Sequence, residues 1–232
     1  MTNDQPKVKI FPLGDAVLTV SFANEISLET NQKVLNLARY FEENQFQGFV
    51  EIVPAYASLS IFYDVVTVRK NFPAHATAFA AVRNLTENAL RDLKSFEMKE
   101  WRLIKIPVSF KPEFAPDLEF VASENNLSPE EVVQIFTAQI YRVYMLGFLP
   151  GFAYMGEVSD RIAAPRKQTP RAEVAKGSVG IAGRQTGIYS LASPGGWQII
   201  GKTNIELFTP HQDTPTFLQA GDRVQFYVSD FF

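Results

Sequence analysis

The chain has 232 residues, 46% of them apolar, with a net charge of −3, no cysteine and two histidines. That length suits one large domain or two small ones with a sizeable core. The missing cysteines exclude disulfides, thiolate zinc sites and a cysteine nucleophile, and the acidic balance argues against bulk binding to nucleic acid or a membrane. A histidine-based metal site or a Ser-His-Asp triad would have to be built from His75 or His211. The polar start MTNDQPKVKI lacks the apolar region of a signal peptide. The most apolar run, residues 145–155, is broken by Gly147, Pro150 and Gly151 and is too short to span a bilayer. A soluble, cytoplasmic protein is expected.

Taken in chain order, residues 16–22 read as a strand. Residues 28–46 read as an amphipathic helix capped by Ser27, with apolar Leu28, Val34, Leu35, Leu37, Ala38 and Phe41 set among polar residues. Residues 49–53 and 59–63 read as two short strands joined by PAYAS. Helical spacing returns over 74–95 (Phe79, Val82, Leu85, Leu90, Leu93), and 101–108 reads as a further strand. The order β-α-β-β-α-β is that of a ferredoxin-like sandwich, expected over residues 1–100, with no catalytic cluster in it.

A helical pair follows at 117–126 and 128–138. Ser128-Pro129-Glu130-Glu131 supplies an N-cap, a proline at the first helical position and a capping-box glutamate. From Tyr141 onward short β-like runs (141–146, 178–182, 187–191, 197–200, 205–208, 223–228) alternate with Gly and Pro. Many short strands with turn signals predict a small barrel or sandwich. The expected whole is an α+β chain, 1–100 ferredoxin-like and 101–232 a β-barrel with helices.

GWQIIGKT, residues 196–203, matches the Walker A pattern letter for letter. Its loop positions Trp197, Gln198, Ile199 and Ile200 are bulky and β-prone, and a strand-like stretch follows where a P-loop needs a helix. The stretch is therefore read as a strand.

Residues 147–203 concentrate the candidate chemistry. GFLPGFAYMG sets aromatics among glycine and proline, and in APRKQTPR two prolines stiffen a loop carrying Arg166, Lys167 and Arg171. Between residues 161 and 202 there are seven Lys or Arg against one acid, Glu173. A focused cationic patch inside an acidic protein suits a small anionic ligand. Arg166 and Arg171 are the best candidates for the anion, whereas Arg161 and Lys176 read as solvated surface charges. Trp197 reads as a core or rim aromatic ahead of a ligand platform. Glu113 and Asp117 fit a carboxylate pair, and helix capping fits Asp117 equally well. His75 reads as structural or exposed.

YRVYMLGFLPGFAYMG, APRKQTPR and GSVGIAGRQTGIYSLASPGGWQIIGKT together resemble the hallmark of the 5-oxoprolinase B-subunit family, also called allophanate hydrolase subunit 1 and the Kip-type inhibitor of a sporulation histidine kinase. The resemblance is specific over residues 141–208 and looser elsewhere. It implies a cyclophilin-like second half, related to one half of a urea carboxylase carboxyltransferase domain. It implies ATP-dependent opening of 5-oxoproline to glutamate, with Mg²⁺, in a complex with subunits A and C, and inactivity alone. Carried over to this sequence, it implies anion binding by Arg166 and Arg171, a polar wall of Gln185, Thr186 and Tyr189, and a pocket shaped by Gly195, Gly196 and Trp197. It names no nucleophile or general base and no metal ligand. The alternative it implies is a regulatory protein whose partner is a sensor histidine kinase. A biotin-dependent carboxyltransferase half would need a biotin carrier, and this chain has no biotinylation motif around its methionines. Two departures stand out: Phe136 lies in the helix where members often carry histidine, and SFKPEFAPDL, with Lys111-Pro112, replaces a glycine-rich stretch.

Overall fold

The computed structural model describes residues 8–22, 27–92 and 101–230 of the mixed α+β chain. Two compact units divide after Glu100. The first holds β1 (Lys9–Pro12), β2 (Val17–Ser21), α1 (Leu28–Glu43), β3 (Phe49–Pro54), β4 (Ser58–Tyr63), α2 (Val65–Asn71) and α3 (Ala78–Asp92). Ser27 caps α1 by accepting the Thr30 N–H at 3.1 Å. The α1 face carrying Val34, Leu37 and Phe41 packs with Leu18, Leu59 and Ile61 of the sheet and Val82 of α3. Residues 93–95, expected in the α3 helix, lie outside the described residues.

The sheet of this unit is antiparallel in the order β1-β2-β4-β3. Its edge is not the expected strand at 101–108 but β1, an N-terminal hairpin partner of β2. The expected ferredoxin-like strand is β5 (Leu103–Val108), which belongs to the second unit and runs parallel to β13 (Arg223–Val228) from Leu103↔Arg223 to Val108↔Val228. Ile106 and Val108 are fully buried there and join the second core. Helix α2 was also not expected; Asp64 starts it by accepting the Thr67 N–H at 2.7 Å.

In the second unit α4 (Leu118–Glu124) and α5 (Pro129–Ala138) precede β6 (Ile140–Leu146), β7 (Ala153–Gly156), β8 (Arg171–Val174), β9 (Ser178–Ala182), β10 (Gln185–Ile188), β11 (Ser193–Gly195), β12 (Gln198–Lys202) and β13. The capping box of α5 is formed in both directions: the Ser128 N–H donates to Glu131 at 2.8 Å, and the Glu131 N–H donates to Ser128 at 3.2 Å. Phe136, buried on α5, stacks on Phe226 of β13 with centroids 4.9 Å apart and meets Tyr141 at 5.1 Å. Phenylalanine at this position is thus a core residue. Lys111 and Pro112 open a turn closed by the Phe114 N–H to Lys111 carbonyl bond of 2.8 Å.

Seven strands form one sheet in the order β12-β9-β10-β7-β6-β13-β5, and β8 and β11 form a separate ribbon. The large sheet curls until its two edges touch. Ser109, just past β5, exchanges both backbone hydrogen bonds with Lys202 at the end of β12, at 2.8 and 3.0 Å. A Cβ on Gly201 would stand 2.6 Å from Val108 Cγ1, so only glycine fits this seam without a shift. The Walker-like run ends here as the last residues of a strand, with no helix after it.

Residues 205–208 are not the expected strand. They make one isolated bridge, Phe208 to Thr216, within the irregular segment between β12 and β13. Their alternation has a different cause: Leu207 is buried and Glu206 exposed because the segment lays one side on the core without a ladder.

Candidate functional site

A pocket of about 340 Å³ opens in the second unit. Its aromatic wall comes from Phe148 and Phe152 of the 147–152 loop, Tyr154 of β7, Tyr189 after β10, and Trp197 before β12. Phe152 is the hub. Edge-on rings surround it at centroid distances of 5.4 Å for Phe148, 4.9 Å for Tyr154, 5.5 Å for Tyr189 and 5.6 Å for Trp197. Edge-to-face packing suits the ring quadrupoles and leaves rigid apolar walls. Gly187 permits it, since a Cβ there would lie 2.9 Å from the Phe152 ring. Gly195 is needed for the same reason, because a Cβ would stand 2.3 Å from the Tyr189 hydroxyl.

Phe148 holds the lip. It is 58% exposed and adopts φ 67 between Gly147 and Leu149. This left-handed conformation costs a residue with a Cβ about 1–2 kcal/mol.

The cations line the same pocket. Arg166, Lys167 and Pro170 line the pocket, and the Arg166 guanidinium lies 6.0 Å from the centre of the Trp197 ring. Two bonds fix this loop to the aromatic side: the Lys167 N–H donates to the Gly196 carbonyl at 2.7 Å, and Gln198 Nε2 donates to the Pro165 carbonyl at 2.8 Å. Arg166 is exposed, and among the described residues no carboxylate pairs with it.

Arg171 and Lys167 both meet Asp117. Arg171 Nη2 donates to Asp117 Oδ1 at 2.7 Å, and Lys167 Nζ donates to the same oxygen at 3.2 Å. The other oxygen, Oδ2, accepts the Ile199 N–H at 2.6 Å. Asp117 stands at the N-cap position of α4 but makes no side-chain cap bond there. Of the two readings open from the sequence, capping is therefore not what its side chain does. Glu113, the other half of the supposed carboxylate pair, is exposed. Burial alone would raise the Asp117 carboxyl; the bonds from Arg171 and Ile199, with the Arg171 charge and Lys167, outweigh it and hold the group below the usual carboxylate range. Burial pushes the Tyr189 phenol up, against an opposing hydrogen bond from the Trp197 backbone and the charge of Arg166. Tyr189 therefore stays a neutral phenol at ordinary pH.

Among the residues singled out from the sequence, Arg166, Tyr189, Gly195, Gly196 and Trp197 come together on this pocket. Arg171 stands behind it, joined to Asp117. Gln185 and Thr186 lie on β10 and do not line it; Thr186 is buried and donates to the Gly180 carbonyl at 2.9 Å. His75 and His211 are not in it either. The ring of Phe148, Phe152 and Tyr154 was not named as site residues, although the run GFLPGFAYMG that carries them is the visible signal.

A model of the carboxyltransferase domain, subdomain C and D, matches residues 8–218. The B subunit of 5-oxoprolinase from Bacillus subtilis is 47% identical over 95% of this chain and 92% of its own length. This chain belongs to the 5-oxoprolinase B-subunit family. Another member, from Escherichia coli O157:H7, is 33% identical over 95% of both chains. Among solved structures, TTHA0988 superposes with a TM-score of 0.76 at 34% identity, and the chain, covered to 97%, spans 40% of that longer protein. The Kluyveromyces lactis urea carboxylase shares the fold, with a TM-score of 0.75 at 22% identity, and this chain spans 22% of it. No helix among the described residues is long and apolar enough to cross a membrane.

Proposed function

We propose that this chain is the B subunit of an ATP-dependent 5-oxoprolinase working with subunits A and C, and that the pocket beside Trp197 holds the 5-oxoproline. The observation that carries the reading is one exposed arginine, Arg166, facing a rigid aromatic wall in a pocket of about 340 Å³. It is supported by relatives named as the B subunit of 5-oxoprolinase, one of them 47% identical over nearly the whole chain. 5-Oxoproline is a flat five-membered lactam bearing one carboxylate. Arg166 takes the carboxylate as a planar two-pronged donor. Phe148, Tyr154 and Trp197, braced by the buried Phe152 and Tyr189, hold the ring, exclude water from its faces and fix the lactam amide in one orientation. The neutral Tyr189 hydroxyl provides a polar contact on that wall.

In the complex, ATP with Mg²⁺ would supply a phosphoryl group to the amide oxygen, with ADP leaving, and so make the stable lactam a better electrophile for water, with phosphate leaving as the ring opens. Among the described residues no group of three or more His, Cys, Asp or Glu could hold a metal ion. Mg²⁺ that arrives with a nucleotide needs only one or two carboxylates beside the phosphates, and the lining of this pocket carries none, so ATP and Mg²⁺ are assigned to the assembly.

The test is 5-oxoproline-dependent ATP hydrolysis with glutamate formation, measured for this chain alone and with its candidate partner subunits. Turnover is expected only in the complete set. No turnover in a demonstrably assembled complex overturns the reading, and histidine-kinase inhibition is then the next assay.

A further inference from the structure

We infer that Asp117 is the positioning residue of this pocket: it anchors the cationic loop and leaves Arg166 as the cation that meets an anionic ligand. The inference rests on the proposed substrate reading only for its choice of ligand. Asp117 is 4% exposed, and its carboxylate joins two stretches distant from it in sequence: the 165–171 stretch, through Lys167 of the loop and Arg171 at the start of β8, and β12, through the Ile199 N–H. The Asp117 N–H adds a return bond to the Ile199 carbonyl at 2.9 Å. Asp117 thus takes the place of a neighbouring strand at one position of β12, Ile199, two residues past the pocket residue Trp197.

Charge follows the same division. Arg171 and Lys167 share one carboxylate oxygen, while Arg166, adjacent to Lys167 in the chain, has no carboxylate partner among the described residues and lies over Trp197. The Arg166 guanidinium is not itself bound by Asp117; it rests over the Trp197 ring on a loop whose neighbouring Lys167 is anchored, so the backbone that carries it is set before the ligand arrives. Removing the anchor unties the Lys167 and Arg171 side chains and leaves the loop held to the aromatic side by its two other bonds alone, so Arg166 loses its fixed placement. Carboxylate recognition is lost, and the ring-binding wall, built on Phe152 and Tyr189, is kept.

The chain has two tryptophans, Trp101 and Trp197, so in a Trp101→Phe background Trp197 emission reports the pocket directly. This chain is titrated with 5-oxoproline, with 2-pyrrolidinone (the same ring without the carboxylate) and with inorganic phosphate. Asp117→Asn is expected to weaken 5-oxoproline at least tenfold and 2-pyrrolidinone less than twofold. In an Arg166→Ala background the further effect of Asp117→Asn on 5-oxoproline is expected to stay below twofold, because the anchor acts through that arginine. Equal weakening of both rings, or an undiminished effect without Arg166, assigns Asp117 a purely structural role and overturns the inference. So does an unchanged 5-oxoproline affinity in folded Asp117→Asn protein. If Asp117→Asn does not fold, Asp117→Glu, which keeps the charge and moves it, is read against the same criteria. If the wild-type chain binds phosphate but not 5-oxoproline, the substrate reading fails alone, and a tenfold loss of phosphate affinity in Asp117→Asn still decides the inference. Absence of binding by either anion overturns both.

Discussion

Asp117 and Ile199 are joined twice: the Ile199 N–H donates to the Asp117 carboxylate at 2.6 Å, and the Asp117 N–H donates to the Ile199 carbonyl at 2.9 Å. A residue at the head of α4 thus pairs with the edge of β12 and, with the same carboxylate, grips Arg171. Breaking a buried ion pair by removing one partner costs about 3–5 kcal/mol when both charges are buried. Arg171 keeps 28% of its side chain exposed, so Asp117→Ala is expected near the lower end, about 3 kcal/mol in urea denaturation.

The same carboxylate sets an acid limit. Its folded value lies below that of the free side chain, which is about 3.9. Its stabilisation is therefore complete above that value and is lost as the pH falls through the lower folded value. Thermal midpoints measured from pH 7 to pH 3 are expected to fall more for the wild type than for Asp117→Asn, which starts lower. Parallel curves would show that Asp117 does not carry this linkage.

The sheet seam at Gly201 predicts a compensating pair. Gly201→Ala drives a methyl group to 2.6 Å from Val108 Cγ1 and 3.1 Å from the Ser109 carbonyl oxygen. Overpacking of this kind costs about 1–3 kcal/mol. Trimming the contact in the Gly201→Ala, Val108→Ala double variant is expected to lose less than the two single losses added together. Strict additivity would remove the seam explanation.

Phe136 gives a prediction in the opposite sense. It is fully buried and stacked on Phe226. Phe136→Ala is expected to cost about 3–5 kcal/mol of stability. It does not line the pocket, so folded variant protein should bind 5-oxoproline within twofold of wild type. A tenfold loss of binding would mean that α5 sets the site and that this departure from the family matters to function.

What the sequence disclosed follows how local each signal is. The Ser128–Glu131 capping box is written in four consecutive residues and is found as read. Strands β6, β9 and β13 are short β-prone runs between turn residues, and they too are visible locally. Which sheet a strand joins is not local: residues 103–108 carry an alternating pattern that serves either unit, and pairing with β13, more than a hundred residues away, decides it. The alternation at 205–208 misleads because one-sided burial of a loop writes the same pattern as a strand edge. At the site, glycine and proline density marked the loops, and Arg166 and Trp197 meet as a pair. Sequence alone does not decide the role of Asp117, because an aspartate before a helix has an adequate local role and its partners Lys167 and Arg171 lie fifty or more residues away.

Steady-state kinetics of the assembled complex test most directly whether 5-oxoproline binds in the pocket beside Trp197, as proposed. Arg166→Ala is compared with Arg184→Ala, a cation outside the pocket that pairs with Asp160 at 3.2 Å. Loss of a charge-assisted pair to the substrate carboxylate, about 1.5–3 kcal/mol, predicts a fall of roughly tenfold to a hundredfold in kcat/KM for 5-oxoproline with Arg166→Ala. Arg184→Ala should stay within twofold. Equal kinetics for the wild type and Arg166→Ala would contradict the account and place the substrate elsewhere in the complex.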